Sequence, residues 1–96
     1  MRECEMFLKP MSEQLLQQWV SLDSWHEGHD SDTRVFYRFI HAYVEEHGYE
    51  LDEALLREKI LFILDRREDD DFQRLACERV GFMRNVLDYL QFTKNL

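Results

Sequence analysis

The apolar residues of this chain recur three or four positions apart in four stretches, with polar residues between them. This spacing places the apolar side chains of each stretch on one face of an α-helix. In the second stretch, for example, the broad apolar face includes Phe36, Phe39, Ile40 and Tyr43. The pattern predicts four helices, near residues 11–25, 33–47, 53–66 and 71–92.

Residues at the ends of these stretches support the predicted helices. Ser12, Asp32 and Asp52 carry side chains that accept hydrogen bonds from a first helical turn, and we expect them to cap the first three helices. Gly48 is suited to the left-handed conformation that follows the end of the second helix. Residues 60–64 are all apolar, so we expect the third helix to be the most buried.

The fold class follows from this pattern together with the length and composition. The 96 residues are enough for one small domain, and 45% of them are apolar, which is sufficient for a compact core. Only three Gly and one Pro occur, too few for the many tight turns of an all-β chain. Short connections favour antiparallel neighbours. We therefore predict a single all-α domain over residues 1–96, either a four-helix bundle or an irregular four-helix domain.

The charge narrows the classes of partner. Twenty acids against twelve bases give a net charge of −8, which disfavours non-specific binding to nucleic acid or to anionic membranes. No apolar run is long enough to span a bilayer, and the first ten residues do not resemble a signal peptide. Cys4 and Cys77 do not form a metal-binding or redox spacing. We expect a cytoplasmic protein that does not contact membranes.

A histidine-rich stretch between the first two helices raises the question of metal binding. His26 and His29, together with Asp30 or Asp32, offer the nitrogen and oxygen ligands that zinc accepts. Two histidines at this spacing occur often without a metal, and Gly28 indicates that the helix has already ended there. We therefore predict no metal and no cofactor, and we keep a metal-binding helical domain as a third interpretation.

Catalytic motifs are absent from the sequence. It contains no nucleophile elbow, phosphate-binding loop, dinucleotide fingerprint or HExxH pair. The paired acids are not flanked by a glycine-rich or aromatic loop that would form a pocket. We therefore expect a protein that is not an enzyme.

Residues 73–92 also allow a helix-turn-helix interpretation. Gly81 would be the turn glycine and Cys77 the small residue at the crossing, with Arg84, Asn85 and Asp88 facing outward. The same apolar positions fit one uninterrupted helix, in which an interior Gly costs only about 1 kcal/mol. The 72 residues before position 73 carry a net charge of −10, which repels DNA phosphates. We rank DNA binding second and expect the fourth helix to continue through Gly81.

The acids are concentrated at one end of the predicted bundle. Antiparallel helices place the first and third connections at the same pole, and these connections hold nine acids and two bases. Helix capping explains some of these acids, but it does not require three consecutive aspartates. We predict a binding or regulatory protein, an inhibitor or adaptor, that docks a basic protein partner through this acidic pole; a homodimer stays open. The predicted contact residues are Trp25, Glu27, Asp30, Asp32, Asp65, Glu68, Asp69, Asp70 and Asp71.

Overall fold

The computed structural model describes residues 8–22, 32–65 and 68–94. This part of the chain contains four helices and no strand, so the predicted all-α four-helix class is confirmed. The helices are α1 (Pro10–Val20), α2 (Asp32–His47), α3 (Glu53–Leu64) and α4 (Asp70–Lys94). No helix among these is long and apolar enough to cross a lipid bilayer.

One predicted helix end is wrong by five residues, and another differs from the prediction by two. α1 ends at Val20 instead of near Trp25, because the N–H of Leu22 bonds to the carbonyl of Trp19 only three residues back. This tighter turn closes the helix. α3 ends at Leu64 because Asp65 adopts a left-handed conformation with φ 57° and ψ 44°.

The predicted N-terminal caps of the first three helices have different outcomes. Asp52 caps α3 as predicted, since its carboxylate accepts the N–H of Leu55 at 3.1 Å. Asp32, predicted as a cap, is the first residue of α2. The prediction that Ser12 caps α1 is wrong: Ser12 lies buried within the helix, and the N-cap position belongs to Lys9, which makes no side-chain cap.

Two antiparallel pairs of helices make up the fold. Trp19, near the end of α1, packs on Phe36, near the start of α2, while the backbone N–H of Lys9 donates to His47 at 3.2 Å. In the second pair, Glu53 at the start of α3 forms an ion pair with Arg84 in the middle of α4. α1 also packs on α3, and α2 packs on α4.

The core is one cluster to which all four helices contribute. Aromatic rings occupy the junction of α1, α2 and α4: the Trp19 ring centroid is 4.8 Å from that of Phe36 and 6.2 Å from that of Phe39. Phe36 in turn lies 5.0 Å from Phe82 of α4. Such pairs contribute about 0.5–1.5 kcal/mol each beyond the burial of their surface.

The apolar residues 60–64 do not bury the third helix on all sides. Phe62 on α3 is 61% exposed, and Ile63 and Leu64 are only partly buried. The same helix buries a charge, because Lys59 is 5% exposed and its ammonium lies 2.8 Å from the Glu13 carboxylate on α1. A buried ammonium is tolerated only when a carboxylate accompanies it, and α1 supplies that carboxylate.

α4 passes through Gly81 without interruption, as expected from the apolar spacing. A Cβ added at this glycine would meet no atom within 4 Å, so no close approach of another helix requires glycine here. Residues 73–92 therefore lack the turn of a helix-turn-helix. By contrast, Gly48 has a φ of 78°, as predicted for the residue after α2.

Replacing these two glycines by alanine should change stability in opposite directions. Gly48→Ala should lower the free energy of unfolding by about 1 kcal/mol, because alanine is strained at positive φ. Gly81→Ala should raise it by about 0.5–1 kcal/mol, because alanine is the better helix former. Urea denaturation measures both. A destabilising Gly81→Ala would indicate that position 81 is not within an ordinary helix.

Candidate functional site

The connection between α3 and α4 presents five acids to solvent, and we call Asp65 with residues 68–71 the acidic turn. Three of these acids have a local structural role. Asp65 supplies the left-handed residue that ends α3. Asp69 accepts the N–H groups of Asp71 at 2.9 Å and Phe72 at 3.4 Å, so it caps α4. Asp71 forms an exposed ion pair with Arg74 at 2.9 Å.

Glu68 and Asp70 have no such role. Both side chains are exposed, and neither forms a hydrogen bond or ion pair with the part of the chain that the structure describes. Asp70 opens α4, where the macrodipole favours a negative charge but does not require one. Capping therefore accounts for part of the acidic turn and leaves these two carboxylates available to a partner.

The other predicted contact residues lie in or beside the connection between α1 and α2. Trp25, Glu27 and Asp30 fall outside the described residues, and so does the side chain of Asp32. The acidic turn is thus the part of the predicted acidic pole whose geometry is known. That the acidic turn lies at the same pole as the connection between α1 and α2 stays a prediction.

The histidines considered as metal ligands, His26 and His29, also fall outside the described ranges. Within residues 8–22, 32–65 and 68–94, no group of three or more His, Cys, Asp or Glu side chains could hold a metal ion. Because His26 and His29 lie outside these ranges, the expectation that they bind no metal stays a prediction.

Three of the five acids at the opposite pole, residues 45–53, are used within the fold, whereas the side chains of Glu45 and Glu50 are exposed. Glu46 accepts both the N–H and the hydroxyl of Ser12, and thus provides from α2 the cap that α1 lacks locally. The Ser12 hydroxyl bond is the main reason that the pKa of Glu46 lies below its usual value. Asp52 caps α3, and Glu53 pairs with Arg84. These acids therefore face partners inside the molecule.

His47 and Tyr43 complete this polar junction between α1 and α2. Their rings stack with centroids 4.8 Å apart, and the Tyr43 hydroxyl donates to the Glu50 carbonyl. Burial, with the charges of Asp52 and Glu50, raises the pKa of Tyr43 to about 12. Burial also lowers the pKa of His47, which keeps the imidazole neutral and its Nε2 able to accept the Lys9 N–H.

The outer face of α2 carries two shallow apolar grooves that the sequence analysis did not identify. Tyr37 and His41, one turn apart, form the ridge between them. The α1–α2 groove, of about 570 Å³, is lined by Met11, Leu15, Arg34, Tyr37, Arg38, His41, Ala42 and Glu45. The α2–α4 groove, of about 510 Å³, is lined by Tyr37, Ile40, His41, Val44, Glu45, Tyr49, Leu90, Thr93 and Lys94.

Comparison of the chain with protein-family models, with curated proteins and with solved structures finds no match.

The neutrality of His47 has a consequence for stability against pH. Because its pKa is lower in the folded than in the unfolded chain, the stabilisation is complete above the unfolded value of about 6.5 and is lost as the pH falls through the folded value. The free energy of unfolding should therefore decrease as the pH falls below about 6.5. Denaturation at several pH values measures this slope.

The His47→Gln variant keeps an acceptor for the Lys9 N–H but cannot be protonated, so its slope over this range should be smaller. His41→Gln, which removes an exposed histidine of the same helix, serves as the matched control. Equal slopes for His47→Gln and the wild type would contradict the assignment.

Proposed function

We propose that this chain is a non-enzymatic binding protein, an inhibitor or adaptor, that docks a basic surface of a partner protein through the acidic turn. The observation that carries this proposal is the exposure of Glu68 and Asp70, whose side chains bond to no residue that the structure describes, beside three further exposed acids. Acids concentrated in one short connection produce a local field that attracts a basic surface and orients its approach.

The choice of the acidic turn over the opposite pole rests on how the acids are used. Glu46, Asp52 and Glu53 already face donors within the fold. A partner would have to compete with those donors, and the helix ends would lose their caps. Docking at the acidic turn requires no such rearrangement, because Glu68 and Asp70 can pair with a partner while Asp69 continues to cap α4.

Charge alone gives a fast but weak encounter, so a stable complex also needs an apolar anchor. Exposed ion pairs contribute only about 0.2–1 kcal/mol each, whereas buried aromatic side chains dominate many interfaces. Phe62 is suited to this role, because it is 61% exposed and precedes Asp65 by three residues. We therefore include Phe62 in the proposed binding surface, next to the acidic turn.

The two alternative functions, DNA recognition and metal binding, are supported to different degrees. DNA recognition by residues 73–92 loses its structural basis, because α4 contains no turn at Gly81. A metal-binding domain depends on His26 and His29 and stays as an alternative. Zinc analysis of untagged protein separates it from the main proposal, since about one metal ion per chain, lost in His26→Ala, would favour it.

Reversing the charges of Glu68 and Asp70 should weaken the binding of a basic partner. In the double variant Glu68→Lys with Asp70→Lys, association should slow on the order of tenfold or more, because such charges act mainly on the association rate. The control is Glu78→Lys with Asp88→Lys, which reverses two exposed acids on α4. Both variants change the net charge equally, and Asp69 is left unchanged because it caps α4.

The three proteins are used to capture partners from a native lysate at about 0.05 M and about 0.5 M salt, and the captured proteins are compared by mass spectrometry. We expect a basic protein that the wild type and the control retain at low salt and that the Glu68 and Asp70 variant loses. If the same proteins are captured by all three at both salt concentrations, the acidic turn is not the binding surface.

The aromatic anchor gives a separate prediction for the dissociation of that complex. Phe62→Ser should raise the dissociation rate by about tenfold or more, because an aromatic anchor usually contributes more than 1 kcal/mol. Folding should survive, since the side chain is mainly exposed. Tyr89→Ser, which removes a similarly exposed aromatic residue from α4, is the control. Surface plasmon resonance with the captured partner measures the dissociation rates of both variants. Equal effects of the two substitutions would exclude Phe62 as the anchor.

A further inference from the structure

We propose that the α1–α2 groove is a second binding surface, which takes an acidic amphipathic helix of a partner protein. This surface is distinct from the acidic turn, and its charge has the opposite sign. The proposal depends on three features of the groove: two arginines that pair with no carboxylate among the described residues, an exposed apolar floor, and a length and charge order that suit a short helix.

The two arginines are Arg34 and Arg38, one turn apart on the outer face of α2 and both exposed. Neither forms an ion pair with any residue that the structure describes. Other bases of the chain do find acids, as in the pairs Lys59–Glu13, Arg74–Asp71 and Arg84–Glu53. In a chain with twenty acids, an adjacent pair of arginines left unpaired is a basic site that a carboxylate from outside can occupy.

The floor between the arginines and α1 is apolar and accessible. Met11 is 56% exposed and Tyr37 is 52% exposed, and the buried Leu15 and Ala42 lie beneath them. Methionine adapts its shape to different apolar partners, and tyrosine supplies a large contact area with few rotatable bonds. A basic rim around such a floor matches a partner that is itself both apolar and acidic.

The dimensions and charge order favour a helix as the occupant. From Arg34 to Glu45 the groove follows twelve residues of α2, about 16 Å or three helical turns. A partner helix with apolar side chains at i, i+3 or i+4, and i+7 would fill the floor. Its acids should lie four residues apart at one end, opposite Arg34 and Arg38, because Glu45 repels an acid at the other end.

A second copy of this chain is a poorer occupant than an acidic partner. The outer face of α4, which exposes Tyr89 and Phe92, is one helical face that a second copy would offer. That face carries Arg84 as well as Asp88, so it has no excess of acids to place against two arginines. Charge complementarity therefore favours a different protein.

The test uses the full ¹⁵N-labelled chain and two designed helical peptides of about 14 residues. Both peptides have leucines along one face; the first has two glutamates four residues apart at one end, and the second has lysines in their place. Amide shifts in nuclear magnetic resonance spectra report where each peptide binds. We expect the glutamate peptide to shift amides along the groove in α1 and α2, and the lysine peptide to bind at least about tenfold more weakly.

Variants of the chain then distinguish specific binding in the groove from non-specific attraction by charge or by apolar surface. Arg34→Gln with Arg38→Gln should weaken binding of the glutamate peptide roughly 3- to 30-fold. The control, Arg74→Gln with Arg84→Gln, removes the same charge from α4 and should change affinity less than about twofold. Met11→Ser should weaken binding, whereas Phe62→Ser should not. Glu68→Lys with Asp70→Lys should leave the peptide in the groove, so that failure of the acidic turn and failure of the groove are distinguishable.

Several results would overturn the proposal. Equal affinity for the two peptides would show an apolar surface without charge selection. Shifts confined to other helices, or no binding of the glutamate peptide, would remove the groove as its site. If the groove amides shift with protein concentration in the absence of peptide, and sedimentation shows a dimer, then a second copy occupies the groove in place of an acidic helix.

Discussion

The packing of Trp19 against the start of α2 is the contact on which the arrangement of the helices depends. Its indole lies on Phe36 and Phe39, and Phe36 in turn contacts Phe82, so one aromatic group joins α1, α2 and α4. Because protein interiors are closely packed, these rings determine how the helices approach one another. The resulting fold brings the end of α2 to the start of α1, where Glu46 provides the cap that Ser12 and its neighbours lack locally.

The charged residues divide into those that hold the fold together and those that face outward. Glu13 compensates the buried Lys59, Glu46 caps α1, and Glu53 pairs with Arg84. These acids already have partners within the fold. By contrast, Glu68 and Asp70 in the acidic turn and Arg34 and Arg38 on α2 are exposed and pair with no described residue. The proposed surfaces therefore follow from where exposed charges that pair with no described residue lie close together, and less from the net charge of −8.

An acidic surface beside Phe62 and a basic groove beside Met11 would let one small domain hold two partners of opposite charge. This combination suits an adaptor better than a simple inhibitor, since each surface selects its own class of partner.

The helices and several of their ends were predictable from the sequence because their causes are local. The apolar spacing predicts all four helices and the continuity of α4, while Asp52 and Gly48 act through neighbouring residues alone. The acids of the turn are visible in the sequence as well. Only the tertiary structure decided that Phe62 faces solvent, that Lys59 is buried, and that Arg34 and Arg38 border a groove. Those outcomes depend on which helix packs against which face, and residues far apart in the chain establish that packing together.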